Sequence, residues 1–158
     1  MDIKENVSIH ESHIKFTGIV TILDENGNIV VENHNLIVES GRKLMAAALT
    51  GGAAFNIENL QIIYGLTTDS SVSPDATLPG DYKTITPSVT KSDDGLSVKF
   101  TVQLNHTSSN SDSASKLTFN YIGLATTGDK PVLFSKSIFN TVILPPSRTM
   151  EINYTIYF

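Results

Sequence analysis

The 158-residue sequence contains no cysteine and no tryptophan, and charged residues make up only 17% of it. The absence of cysteine excludes disulfide scaffolds, thiolate zinc sites, iron–sulfur clusters and cysteine nucleophiles. The longest unbroken apolar run covers residues 44–49, far short of the roughly 20 residues that a membrane-spanning helix needs. The N-terminal residues are polar and of mixed charge, unlike the basic and then apolar layout of a signal peptide. We therefore expect no export signal and no membrane segment.

The length and composition predict one compact domain. Apolar residues make up 40% of the chain, and a single hydrophobic core typically serves about 100–200 residues. The 11 basic and 16 acidic side chains give a formal net charge of −5. Because affinity for nucleic acid comes mainly from lysine and arginine, this acidic balance argues against a nucleic-acid partner.

The clearest local signal is a hairpin near the N-terminus. Residues 14–23 and 28–32 are rich in strand-forming side chains and flank the turn residues 24–27. The Asn-Gly pair at the end of this turn supplies the positive φ angles that a tight connection between twisted strands requires. The pattern predicts two paired strands.

Strand patterns also fill most of the remaining chain. The strictest alternation of apolar and polar residues runs from Leu96 to Leu104 and predicts one buried and one exposed face. Strands are predicted at residues 59–66, 83–89, 96–105, 117–125, 132–139 and 149–158. Two segments rich in serine, threonine and aspartate are predicted to be long loops, namely residues 67–80 and 107–115. We expect these loops to contact partner proteins.

One segment, at about residues 40–50, predicts a short α-helix. It is rich in alanine and leucine, Ser40 can cap its first turn, and Gly51-Gly52 can end it. A helix of this length is marginal in isolation, so we expect it to dock on a sheet.

These elements predict a mainly β fold, namely an antiparallel β-sandwich of about eight or nine strands with one short α-helix. Strands and helices do not alternate along the chain, so a parallel α/β sheet is not expected. We expect residues 14–158 to form a single sandwich domain and residues 1–13 to form an N-terminal arm. The arm either adds a strand to a neighbouring subunit or pairs within its own chain.

The histidines and aspartates offer little evidence of a chemical site. His10 and His13 are three residues apart in an extended context, which favours a solvent-exposed arm over a metal site. His34 and His106 are expected at strand ends as ordinary surface or hydrogen-bonded residues. Residues 24–28 superficially resemble a calcium loop, but a turn accounts for them better. Three aspartates of one loop could meet a cation only if the loop folds back: Asp69, Asp75 and Asp81.

No nucleophile elbow, zinc-protease motif or phosphate-binding glycine loop occurs. We therefore predict a protein that is not an enzyme, with no catalytic, cofactor-binding or metal-binding residues and no cofactor. An enzyme remains an alternative, with catalytic carboxylates that are distant in the sequence but adjacent in the folded protein. A carbohydrate-binding or adhesin module is a further alternative, with Tyr82 and Tyr157 as the exposed rings. The other three tyrosines, Tyr64, Tyr121 and Tyr154, are expected in the core.

The order of short motifs over residues 14–158 resembles a family of small β-sandwich structural proteins of tailed bacteriophage virions. A hairpin comes first, a segment opening a short alanine-rich helix follows, and an alternating strand closes the series. The matching pieces are residues 35–38 with 41–44 (Asn-Leu-Ile-Val and Gly-Arg-Lys-Leu), 64–66 (Tyr-Gly-Leu), 75–78 (Asp-Ala-Thr-Leu), 122–124 (Ile-Gly-Leu) and 154–158 (Tyr-Thr-Ile-Tyr-Phe).

This resemblance implies a non-enzymatic virion component that forms homo-oligomers and docks onto other virion proteins. A tail, neck, baseplate or fibre-attachment position is expected, and capsid decoration or a head fibre is the alternative. The implied location is the virion, assembled in the host cytoplasm. Neither nucleic acid nor membrane is an expected partner.

Overall fold

The structure is a computed structural model that describes residues 17–52, 55–106 and 117–158. The predicted arm at residues 1–13, with His10 and His13, and the predicted loop at residues 107–115 lie outside these ranges. Within them, strands predominate over helix.

The described residues form nine strands, one α-helix and one short 3-10 turn. The helix α1 spans Glu39–Leu49 and the 3-10 turn spans Ile57–Asn59. The strands are β1 (Thr17–Asp24), β2 (Ile29–Ile37), β3 (Gln61–Gly65), β4 (Lys83–Ile85), β5 (Ser88–Lys91), β6 (Ser97–Asn105), β7 (Leu117–Ala125), β8 (Leu133–Leu144) and β9 (Thr149–Tyr157).

All strand pairs are antiparallel, and the nine strands form one continuous sheet in the order β4-β3-β7-β8-β2-β1-β9-β6-β5. The sheet is curled as a half-barrel. The expected mainly β, antiparallel fold with one short helix is therefore confirmed for the described residues. The strands, however, belong to one sheet and not to two separately bonded sheets.

The first hairpin forms as predicted, since β1 pairs with β2 from Gly18 opposite Asn35 to Leu23 opposite Ile29. Of the Asn-Gly pair expected to supply positive φ angles, only Gly27 does so, with a φ of 83°, and Asn26 does not. One oxygen of Asp24, Oδ1, accepts hydrogen bonds from the backbone N–H groups of Asn26 and Asn28, both at 2.9 Å. These bonds, led by that from Asn28, lower the pKa of the Asp24 carboxyl. A hydrogen-bonded turn thus accounts for the residues that resembled a calcium loop.

The predicted strand at residues 83–89 is wrong as a single element, because it is split into β4 and β5. Pro87 lies between them, lacks a backbone N–H and restricts the residue before it, so the strand is interrupted there. The two pieces occupy opposite ends of the sheet order. Since only residues 86 and 87 separate them, Ile85 and Ser88 lie within about 11 Å of each other. The sheet is therefore curled far enough that Ile85 of one outer strand and Ser88 of the other lie near each other.

The helix ends as predicted but begins differently. Gly51, with a φ of 74°, follows the C-cap residue Thr50. Ser40 is not the N-cap, because that position is Val38 and no side chain caps the helix. The Ser40 hydroxyl instead donates to the carbonyl oxygen of Leu133 at 2.5 Å, which ties the first turn of α1 to β8. The expected docking of the helix on the sheet is confirmed.

The hydrophobic residues form two clusters, one on each side of the β7–β8 region. The inner cluster combines buried side chains from both halves of the curled sheet, among them Val20, Phe100, Ile122 and Tyr154. The outer cluster contains Ile63, Tyr121 and Leu133 and is covered by apolar side chains of residues 67–82. The predicted loop at residues 67–80 therefore packs against the sheet with part of its length. No helix within the described ranges has the length and apolar character to cross a membrane.

Candidate interaction surfaces and pockets

The two edge strands of the sheet are short and carry lysine. β4 has three residues, including Lys83, and β5 has four, including Lys91. Lys91 also pairs with Glu58 at 2.6 Å. Short length and edge lysines are features that discourage a strand from pairing with another chain. These two edges are therefore poor docking surfaces.

A better edge lies beside β5, where β6 continues past its partner. β5 pairs only with Val98 to Thr101, so Val102 to Asn105 of β6 have no strand on that side within the described part of the chain. We call residues 102–105 of β6 the free edge. The two exposed side chains of this segment, Gln103 and Asn105, are uncharged.

The direction of the backbone groups along the free edge follows from the bonds at its end. The His106 N–H donates to Arg148 O at 3.2 Å, and His106 O accepts from Ser147 N–H at 2.7 Å, both on the β9 side. Successive residues of a strand direct their N–H and C=O groups to alternate sides. Gln103 and Asn105 therefore direct theirs away from β9, toward the open side. No strand of the described residues pairs with them there, so they can accept a further strand.

A second discontinuity is the junction of β2 and β8, which we call the seam. Only Leu36 with Lys136 and Ile37 with Ser135 are paired there, although both strands are much longer. Beyond these pairs side chains continue the link: Asn33 Nδ2 donates to Ser137 Oγ at 3.0 Å and to Ile138 O at 2.7 Å. The seam is thus the least extensively paired line within the sheet.

Polar side chains on the inner face lie next to the seam. The Tyr154 hydroxyl and Ser135 Oγ are 2.6 Å apart inside the core. Burial raises the pKa of Tyr154, and its hydrogen bond with Ser135 opposes that shift. The buried amide atoms of Asn35 have no hydrogen-bond partner among the described residues. A buried polar group without a hydrogen bond lowers the stability of the fold. The hydrogen-bonding groups next to the seam are therefore not all satisfied within the described residues.

A cavity of about 370 Å³ lies beneath residues 67–79, against the outer face of β8. Lys136 contributes to its wall, is only 5% exposed, and places Nζ 4.5 Å from the ring centroid of Tyr121. Burial lowers the pKa of Lys136, and the Asp69 carboxylate opposes that shift. Burial, with smaller effects of Asp81 and Tyr82, raises the pKa of Tyr121 to about 12. The lysine therefore faces a neutral ring.

The two tyrosines expected on the surface lie apart. Tyr82 is half-buried and lines a cleft of about 290 Å³ together with Tyr64, Asp81 and Lys83. Tyr157 is 43% exposed at the far end of β9. They form no common platform. Tyr121 and Tyr154 are fully buried as predicted, whereas Tyr64 is only partly buried at the margin of the core.

Tyr157 belongs to an apolar patch at one end of β6 and β9, which we define as Leu96, Tyr157 and Phe158. Leu96 and Phe158 are 56% and 38% exposed, and the Phe158 N–H donates to Leu96 O at 2.9 Å. Leu96 was expected on the buried face because it continues the β6 alternation. It precedes the strand and lies at the end of the sheet, beyond the core.

The remaining sequence candidates do not converge. His34 is exposed within β2, not at its end as predicted, whereas His106 directly follows β6 with Nδ1 3.0 Å from Leu144 O. Across the described ranges, no group of three or more His, Asp or Glu side chains could hold a metal ion. No Asp or Glu in these ranges is buried.

Two features had no counterpart among the sequence candidates. Lys136 lies in a segment whose pattern predicts only a buried strand, although a lysine between two serines within an apolar run is itself a signal. The position of the free edge depends on where β5 stops pairing with β6. The sequence pattern of β6 alone does not indicate this position.

A comparison of the chain with models of known families, with curated proteins and with solved structures found no match.

Proposed function

We propose that the protein is a non-enzymatic structural component of a tailed phage virion that forms homo-oligomers and docks onto tail, neck or fibre components. The sequence resemblance supports the virion role, and the free edge of β6 supports self-association. The location that follows is the virion, after assembly in the host cytoplasm. Capsid decoration or a head fibre is the alternative position.

The free edge carries the self-association part of the proposal. Gln103 and Asn105 direct outward backbone groups that no strand of the described residues pairs with, and a strand from a second copy could satisfy them by β-augmentation. The edges at β4 and β5 carry lysine, which discourages pairing with another strand, whereas the free edge carries no charged side chain. The apolar patch at the opposite end of β6 offers additional area for burial.

We further infer that the two halves of the curled sheet act as the two layers of a β-sandwich. Buried residues of β1, β6 and β9 share one cluster with those of β3, β7 and β8. The short connection of residues 86 and 87 joins the outer strands of the two halves. Two layers packed on one shared core would supply a rigid body for assembly.

Light scattering on the purified chain, combined with Gln103→Pro, tests this interface. We expect the wild-type mass to be at least twice 17.1 kDa and Gln103→Pro to lower it, because proline removes an outward N–H without removing a bond to β9. Gln103→Ala is the matched control, since it removes the same side chain, including its 3.3 Å contact with Glu151, but keeps the N–H. A wild-type monomer, or equal oligomerisation of both variants, would contradict the interface.

The virion role has a separate test in genomic neighbourhood. We expect the gene to lie beside portal, tail or fibre genes, and the protein to be found by mass spectrometry in purified particles. Absence of the protein from such particles would contradict the role even if the chain is oligomeric.

A carbohydrate-binding module is the second candidate, because the 290 Å³ cleft contains two tyrosines beside Asp81 and Lys83. On this hypothesis a glycan array shows binding that Tyr82→Ala abolishes. Tyr157→Ala is the control, because Tyr157 lies outside the cleft. Glycan binding by this variant should equal that of the wild type. An array without specific binding removes this candidate.

A further inference from the structure

Lys136 is the most unusual buried group in the described part of the protein. It lies in the middle of β8 with only 5% of its surface exposed. The residue opposite it on β7 is Gly123, which has no side chain to cover the lysine stem. Lysine is rarely buried unless it is paired.

Lys136 has no paired charge among the residues that the structure describes. No carboxylate oxygen of the described residues lies within 4 Å of its Nζ. The ring of Tyr121, at 4.5 Å, provides a cation–π contact and is held by its hydroxyl donating to Asp81 O at 3.2 Å. A ring face replaces only part of the lost hydration, so the buried ammonium still costs stability.

The cavity beside Lys136 has room for a partner. Its volume of about 370 Å³ lies at the lower end of the range for small-molecule sites. Hydroxyl-bearing residues line it on the loop side, namely Thr67, Ser71, Ser73 and Thr77. Apolar side chains, including Val72 and Ile138, contribute to the rest of the wall. A basic group, several hydroxyls and apolar walls together suit a small organic anion.

We propose that this cavity binds a carboxylate group through Lys136. Asp69 also lines the cavity and is exposed, so its negative charge disfavours a doubly charged phosphate more than a singly charged carboxylate. The carboxylate comes either from a free small molecule or from an acidic side chain of another polypeptide. The site lies on the opposite half of the sheet from the free edge of β6 and does not depend on the proposed function.

Methyl NMR on the full chain tests the site, with sodium acetate and sodium phosphate as probes at matched ionic strength. We expect acetate to shift the methyl signals of Val72, Ala76 and Ile138, which line the cavity, and phosphate to shift them less. Lys136→Met should weaken acetate binding about tenfold or more, because the charged donor is lost. Lys99→Met, which removes an exposed lysine of β6, should bind acetate like the wild type.

Stability provides a second readout that separates binding from a purely structural lysine. Methionine removes the buried charge, so Lys136→Met should unfold at the same or a higher denaturant concentration than the wild type. A large loss of stability would show that Lys136 serves the fold and would overturn the proposal. So would an acetate response that Lys136→Met retains, a wild type without any response, or an equal response to phosphate.

A short blocked peptide containing one glutamate distinguishes the two sources. Tighter binding of this peptide than of acetate, lost in Lys136→Met, assigns the carboxylate to another polypeptide. Binding no tighter than that of acetate, with the same loss, assigns it to a small molecule.

Discussion

Replacing Phe100 by alanine is expected to lower the free energy of unfolding by about 3–5 kcal/mol. Phe100 is fully buried in the inner cluster. In the sheet register it is paired with Tyr154 of β9 on one side and with Val89 of β5 on the other. Removing the ring deletes buried apolar surface and leaves a cavity that surrounding strands of the sheet can fill only in part. Urea unfolding followed by circular dichroism measures the change.

Leu96→Ala is the matched control for Phe100→Ala. In the alternating segment Leu96 falls on the same predicted face as Phe100, but its side chain is 56% exposed. Its truncation should therefore change the free energy of unfolding by no more than about 0.5 kcal/mol. Equal losses for the two variants would contradict the assignment of the inner face of β6.

Replacing Gly41 by alanine is expected to cost about 2–3 kcal/mol, even though alanine is the better helix former. Gly41 is the buried residue of α1, and a Cβ there would overlap the backbone carbonyl of Phe134 in β8. A backbone atom within a paired strand cannot rotate away as a side chain can. The helix would have to move off the sheet, which would also strain the Ser40 bond to Leu133.

Gly52→Ala provides the comparison for Gly41→Ala. A Cβ at Gly52 would have its nearest neighbours at 3.7 Å, which is ordinary contact, and its φ is not in the left-handed region. We expect a change within about 0.5 kcal/mol in the same unfolding experiment. A Gly41→Ala variant as stable as Gly52→Ala would show that α1 is not held closely against β8.

The elements with strong local chemistry could be predicted from the sequence. Asn26-Gly27 and the flanking alternation specify the first hairpin, because turn geometry and side-chain period agree there. Gly51 ends α1 for a similarly local reason. Pro87 carried the information that β4 and β5 are separate strands, yet the run of strand-forming residues around it favoured a single strand.

The arrangement of the strands and the candidate sites could not be predicted in this way. Whether β4 and β5 lie together or at opposite ends of the sheet depends on contacts distant in sequence. The environment of Lys136 is likewise formed by residues 67–79 and Tyr121, which only the tertiary structure brings to it. An alternating pattern shows that a strand has two faces, but not which of its edges remains open.

The position of β9 in the sheet has a consequence for synthesis on the ribosome. β9 lies between β1 and β6 and pairs with both along nearly its whole length. Until residues 149–157 have emerged, β1 and β6 each lack their neighbour, and the inner cluster lacks Met150, Ile152, Tyr154 and Ile156. The nascent chain must therefore keep β1 and β6 from aggregating until β9 has emerged, so the inner cluster of this domain is completed only after residues 149–157 have been translated.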